Sequence, residues 1–240
     1  MTAEFILLII GAYLLGSFPS AYLAMKWYRG IDIRQKGTGK VGAANVLVSG
    51  TKWLAVVVAI FDIGKAVLAV WISQLLGMSA AQQITVGIFA IIGHNWPVFL
   101  HFRGGRGVFT TFGVIMMFSP KLGLIVLVAS YLFAPVRQVA FGVFLALVSL
   151  PILSWFLSKP MGIEDRLPIT MGFIALASIG LSKRLFAPRT ALSRTVPMHE
   201  LLFYRLLFDR DIADRKAWIN RDRSGEDSTG HEPEQQEEKA

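Results

Sequence analysis

Apolar residues in this chain run in long unbroken blocks, and short polar connections separate the blocks. A stripe three or four residues apart would predict a helix with one buried face, whereas a block about 20 residues long predicts a helix apolar on every side, as a bilayer core about 30 Å thick requires. Phe5–Met25 is such a block and carries no charge. Leu54–Leu76 and Ile84–Leu100 follow, the first carrying Asp62 and Lys65, the second ending at His94-Asn95-Trp96-Pro97. Val108–Phe133 is interrupted by Ser119-Pro120-Lys121, which predicts a turn between two helices, since proline removes a backbone donor and clashes with the preceding turn. Val139–Leu157 and Ile169–Leu181 complete an expected all-α integral membrane bundle of about seven transmembrane helices over residues 1–185.

The acidic start Met1–Glu4 and the length of the first block predict a retained span and not a cleaved signal peptide. Residues 186–223 mix Leu, Phe, Tyr and Trp with charges, as an amphipathic segment lying on the membrane or the bundle would. Residues 224–240 are polar and acidic, with almost nothing to bury, and are expected to be disordered.

Composition agrees with the pattern: 54% of the 240 residues are apolar, and mean hydropathy is +0.54. Charge adds the orientation. Lys26, Arg29, Arg34, Lys36, Lys40, Lys52, Arg103, Arg106, Arg137, Lys183, Arg184 and Arg189 fall on one face, against Lys121, Lys159 and Arg166 on the other. Cytoplasmic loops are enriched in Lys and Arg, so the N-terminus is expected outside and the C-terminus in the cytoplasm. The net charge of +8 then marks topology and contact with anionic membrane lipid, not nucleic acid. With no cysteine, disulfide and thiolate chemistry are excluded. Scattered histidines and sparse acidic residues in the loops predict no metal, and no cofactor motif is found.

Two glycine-rich loops share the cationic face. "GTGKVGAAN" offers Gly37, Gly39, the Thr38 hydroxyl, the Lys40 ammonium and the Asn45 carboxamide, and "FRGGRGVFTT" offers Arg103, Gly104, Gly105, Arg106, Gly107 and Thr110. Glycine lets backbone amides converge on an oxyanion, and the cations would complete a phosphate site. Neither spacing is that of a nucleotide P-loop or a dinucleotide fingerprint. Tight turns with positive-inside cations account for the same residues without a ligand.

The segments "GSFPSAYL", "DIRQKGTGKVGAANVL", "FDIGK" and "GHNWPVFLHFRGGRGV" together resemble the acyl-phosphate:glycerol-3-phosphate acyltransferases of bacterial inner membranes. The resemblance implies acyl transfer from acyl phosphate to the 1-hydroxyl of glycerol 3-phosphate, forming lysophosphatidic acid, and partnership with the enzyme that makes acyl phosphate. It also implies phosphate contacts from Gly37, Thr38, Gly39, Asn45, Gly104, Gly105, Arg106 and Gly107, with His94 orienting a phosphate or hydroxyl. Lys40 stands where the family has asparagine, and Val48 where it has arginine. The family's third motif, His-x-x-Asn after the last span, is replaced by "LSKRLFAPRTALSR", so the chain resembles a divergent member. A non-catalytic lipid- or phosphate-binding paralogue and a small transporter are the other readings. Inverted repeats, the usual mark of the transporter, are not evident.

Overall fold

A computed structural model describes residues 2–221, and among these the secondary structure is entirely helical. The first apolar block breaks into α1 (Ala3–Ser17) and α2 (Ser20–Arg29) at Phe18-Pro19, because proline cannot donate back into the preceding turn. The first glycine loop follows and leads into the short α3 (Ala43–Val48). Next come α4 (Lys52–Leu75) and α5 (Ala80–Asn95). Ser79 starts α5 with a reciprocal cap, its side chain meeting the Gln82 amide while Gln82 reaches back. The second glycine loop then enters α6 (Val108–Phe118).

As the sequence predicts, Ser119-Pro120 separates α6 from α7 (Pro120–Tyr131), with Ser119 as cap and proline at the first helical position. At 11 and 12 residues these two helices are each shorter than the roughly 20 residues that cross a bilayer. The helices α8 (Val139–Phe156) and α9 (Arg166–Leu185) close the bundle, and α10 (Met198–Phe208) and α11 (Arg215–Asn220) follow. Among the described residues, four helical segments are long and apolar enough to cross a membrane, Ala3–Arg29, Lys52–Leu75, Ala80–Leu100 and Val139–Phe156. The disorder expected for 224–240 lies outside the described residues.

In lipid, helices gain little from hiding apolar surface from one another, so close van der Waals packing must hold them. Small residues allow it here. A β-carbon on Gly16 would lie 2.1 Å from the Ala90 carbonyl oxygen and one on Gly93 would lie 2.1 Å from that of Tyr13, so α1 and α5 pack backbone to backbone. Tyr13 Oη also donates to the Trp96 carbonyl at 3.0 Å, at the cationic end of α5. The central core gathers Ile91, Ile115, Leu122, Leu150, Phe173 and Leu176 from five helices. Leu7, Ile60, Leu75, Leu124 and Phe156 are exposed on the outside, where an aqueous protein would tolerate few such side chains and a lipid belt needs them.

Beyond α9 the chain turns back onto the bundle, and α10 packs against α8 and α9. Buried guanidinium groups fasten it: Arg184 donates to the carbonyls of Ala140 and Leu206 at 3.0 and 2.9 Å, while Arg205 reaches those of Leu185 and Pro188 and forks onto Asp211 at 2.8 and 3.0 Å. Phe208 stacks on Phe141 of α8, ring centres 5.8 Å apart. These contacts carry the end of α10 to the glycine loops.

Candidate functional site

The first loop is shaped from within by Asn45. Its Oδ1 accepts from the Thr38 amide at 2.7 Å, and its Nδ2 faces the carbonyls of Ile33, Lys36 and Lys40, each at 3.0 Å. The side chain is buried in the loop and its polar atoms are spent on loop backbone. Asn45 therefore acts as the clamp of this loop, where the sequence suggested a phosphate contact. Gly37 and Gly39 adopt φ of 55° and 74°, the left-handed region where a β-carbon is unfavourable, and a β-carbon on Gly37 would also strike Asn45 Oδ1. The Thr38 amide is taken by its bond to Asn45, and the Thr38 side chain is half-buried at the loop surface.

The second loop lies against the end of α5. The Gly105 amide donates to the His94 carbonyl at 3.2 Å. A β-carbon on Gly104 would fall 2.3 Å from that same oxygen, and one on Gly105 would fall 2.3 Å from His94 Nε2 and 2.4 Å from the Val41 carbonyl oxygen. Only glycine at 105 lets the two loops and His94 meet. Gly107, with φ 65°, ends the loop and opens α6. Arg103 stands at the exposed start of the loop. The Thr110 hydroxyl, in the first turn of α6, is buried without a hydrogen-bond partner among the described residues, as are both ends of the Asn95 carboxamide.

The cations of the two loops converge on Asp209, at the C-terminal end of α10. Lys40 Nζ lies 2.5 Å from Asp209 Oδ2 and donates to the Asp209 carbonyl at 2.8 Å. Arg106 Nε donates to Oδ1 at 2.9 Å, and another of its nitrogens donates to the Lys183 carbonyl. Burial tends to raise the Asp209 carboxyl, but the charges of Arg106, Lys40 and Arg184 outweigh it and hold the group below the usual carboxylate range. Burial pushes the Lys40 amine down to about 7 in spite of Asp209, and the Arg106 charge adds to the depression. One carboxylate thus pairs with two cations from different loops.

Sequence reasoning did not assign Asp209 to this site. The available signal was the acidic pair Asp209 and Asp211 closing an otherwise apolar helix, in a chain whose loops are poor in acids. His199, in the first turn of α10, is exposed at the other end of that helix, about 15 Å of rise away.

His94 has a buried setting of its own. Lys65 Nζ lies 2.9 Å from His94 Nδ1 and 2.8 Å from Asp62 Oδ1, and Ser20 Oγ donates to the same oxygen at 2.8 Å. The Asp62 and Lys65 seen in the sequence are therefore an ion pair beneath His94. Over the histidine is a cavity of about 10 Å³ lined by Ser17, Pro19, Ser20, Val41, His94 and Pro97.

A helical membrane bundle whose two glycine loops present paired cations to an anion has the organisation of a membrane enzyme for phosphorylated substrates. The chain belongs to the glycerol-3-phosphate acyltransferase family, whose model matches residues 6–186. It is 44% identical over 221 residues to glycerol-3-phosphate acyltransferase 5 of Dehalococcoides mccartyi, covering 92% of this chain and 95% of that protein. It is 50% identical over 125 residues to glycerol-3-phosphate acyltransferase 1 of Deinococcus radiodurans, covering 52% of this chain and 62% of that one. Its fold is similar to the crystal structure of PlsY (YgiH), an integral membrane glycerol 3-phosphate acyltransferase, in the glycerol 3-phosphate form: TM-score 0.68 and 27% identity, over 76% of this chain and 88% of that one. The lysophosphatidic acid form of the same enzyme gives a TM-score of 0.67.

Proposed function

We propose that this protein transfers an acyl group from acyl phosphate to the 1-hydroxyl of glycerol 3-phosphate, releasing lysophosphatidic acid and inorganic phosphate. Family membership and the near full-length relative support the activity. The convergence of Lys40 and Arg106 on one carboxylate supports the place. Seven spans, an outside N-terminus and a bacterial inner membrane complete the reading, with the glycine loops on the cytoplasmic side, where a soluble polyol phosphate and the enzyme supplying acyl phosphate are met.

Acyl phosphate is a mixed anhydride, already activated, so the chemistry needs an oriented hydroxyl and a stabilised leaving phosphate more than a protein nucleophile. The hydroxyl oxygen bonds to the acyl carbon, the bond from that carbon to the phosphoryl oxygen breaks, and the hydroxyl proton leaves with phosphate or to water. Arg106 and Lys40 take phosphoryl charge in place of Asp209, the Thr38 hydroxyl and the 104–107 backbone orient the substrate phosphate, and His94 lies beneath. The test is purified protein in nanodiscs, supplied with acyl phosphate and glycerol 3-phosphate, with lysophosphatidic acid and phosphate measured together. Equimolar products are expected. Their absence from folded protein, with glycerol 3-phosphate still bound, would leave the non-catalytic phosphate-binding paralogue in its place.

A further inference from the structure

We infer that Lys65 is a positioning residue for this reaction, one that fixes His94 as the tautomer carrying its proton on Nε2, so that the histidine serves the site as a hydrogen-bond donor and not as a base. The inference rests on the phosphate-site reading above, and its geometry is independent of Lys40, Arg106 and Asp209.

A lysine ammonium can only donate. Lys65 Nζ is paired with Asp62 Oδ1 at 2.8 Å and lies 2.9 Å from His94 Nδ1, so as an ammonium it directs a second N–H at that nitrogen. That nitrogen must then accept. Its other neighbour of opposite character, Asp62 Oδ1, is 3.5 Å off, a longer and weaker contact than the one to Lys65, and that oxygen already accepts from Lys65 and Ser20. Ser20, donating to the same oxygen at 2.8 Å, helps fix the carboxylate on the lysine side. The neutral ring therefore carries its proton on Nε2.

Nε2 points away from this pair, toward the second glycine loop. A Gly105 β-carbon would lie 2.3 Å from Nε2 and 2.4 Å from the Val41 carbonyl oxygen, so the loop backbone packs directly on this edge of the ring, and the histidine also lines the small cavity it shares with Ser17, Ser20 and Val41. Among the described residues Nε2 makes no hydrogen bond of its own. An N–H left without a partner there fits an incoming phosphate or hydroxyl oxygen. Lys65, buried and without contact to such a ligand, acts through the ring alone.

The experiment is a long-range proton–nitrogen spectrum of histidine-labelled protein in nanodiscs at neutral pH, with the His94 signals identified by their loss in His94→Gln. Nδ1 unprotonated and Nε2 protonated is expected, and a shift of the Nε2 signal when glycerol 3-phosphate is added. An Nδ1–H ring, or an imidazolium, overturns the inference. Because Lys65→Met alone strands Asp62, the second variant is Asp62→Asn with Lys65→Met. It should give a mixture of tautomers and a loss of about tenfold in kcat/KM; an unchanged His94 spectrum in that folded variant overturns the role of Lys65. Glutamine places its amide where Nε2 lies and asparagine where Nδ1 lies, so His94→Gln should keep far more activity than His94→Asn. Equal loss in both overturns the donor role. The spectrum reads the tautomer even if the protein transfers no acyl group, which separates failure of this inference from failure of the proposed function.

Discussion

Asp209 and Arg106, 103 residues apart in the chain, meet through a 2.9 Å contact between Oδ1 and Nε. Lys40 comes to the other carboxylate oxygen at 2.5 Å from the opposite loop. One carboxylate therefore joins both loops to the end of α10, and it does so with the group that most resembles a phosphate oxygen in charge and acceptor geometry.

If Arg106 stabilises charge on the acyl phosphate, Arg106→Ala should lower kcat/KM by about 100-fold with a far smaller change in melting temperature. Arg106→Lys should recover only part of it, because a lysine is a point charge without the planar fork. Steady-state kinetics beside a thermal melt decide it. Equal activity in wild type and Arg106→Ala would reduce the residue to a marker of topology.

Removing the Asp209 charge separates competition from support. Asp209→Asn should lower KM for glycerol 3-phosphate several-fold, since the substrate no longer displaces an internal anion. It should also cost about 2 kcal/mol of stability in the free protein, where Lys40 and Arg106 lose their counter-charge. Added phosphate ester should restore the melting temperature. A raised KM would instead make Asp209 part of the binding surface.

Lys40, at about 7, loses its charge within the physiological range. Below that value the amine is cationic and attracts phosphate; above it the attraction fades. Affinity for glycerol 3-phosphate should therefore fall as pH rises through about 7, by roughly tenfold across the transition. The second ionisation of the substrate phosphate, at about pH 6, works in the opposite direction and overlaps the start of the fall, so the decline should show most clearly above about pH 7. Lys40→Arg stays charged throughout and should abolish the fall. Binding measured by calorimetry from about pH 6 to about pH 9 checks both proteins, and parallel curves would sink the assignment.

Asn45→Ala should act through folding. It strips partners from the Thr38 amide and from loop carbonyls in a buried setting, so a loss of about 3 kcal/mol is expected. Phosphate affinity should fall in proportion to the loop opening, and hydrogen exchange at Thr38 should accelerate. Unchanged exchange with lost affinity would return Asn45 to the ligand.

Orientation is tested in this cysteine-free chain with Ala81→Cys, exposed in the first turn of α5, and His199→Cys, exposed on α10. The first should label from outside intact cells and the second only after permeabilisation. The reverse pattern overturns the charge-based topology.

The sequence by itself determined the membrane class, the helix break at Pro120, and the two glycine loops with their cations, while the break of the first span at Pro19 appeared only in the structure. Those features are local: a block of apolar side chains, a proline ring or a run of glycines acts on its own few residues whatever the rest of the chain does. The tertiary structure decided what the loops enclose. Asn45 carries the same chemistry whether it faces a ligand or its own loop, and only the fold turned it inward. Lys65 and Asp62 were readable as neighbours on one helix face, but the third member, His94, lies on α5 and joins them only because α5 packs against α4, where a β-carbon on Gly87 would fall 3.2 Å from the Val70 side chain. Asp209 reached the cations because Arg184 and Arg205 fasten α10 to carbonyls at the ends of α8 and α9, contacts between residues far apart in sequence that leave no periodic trace in it.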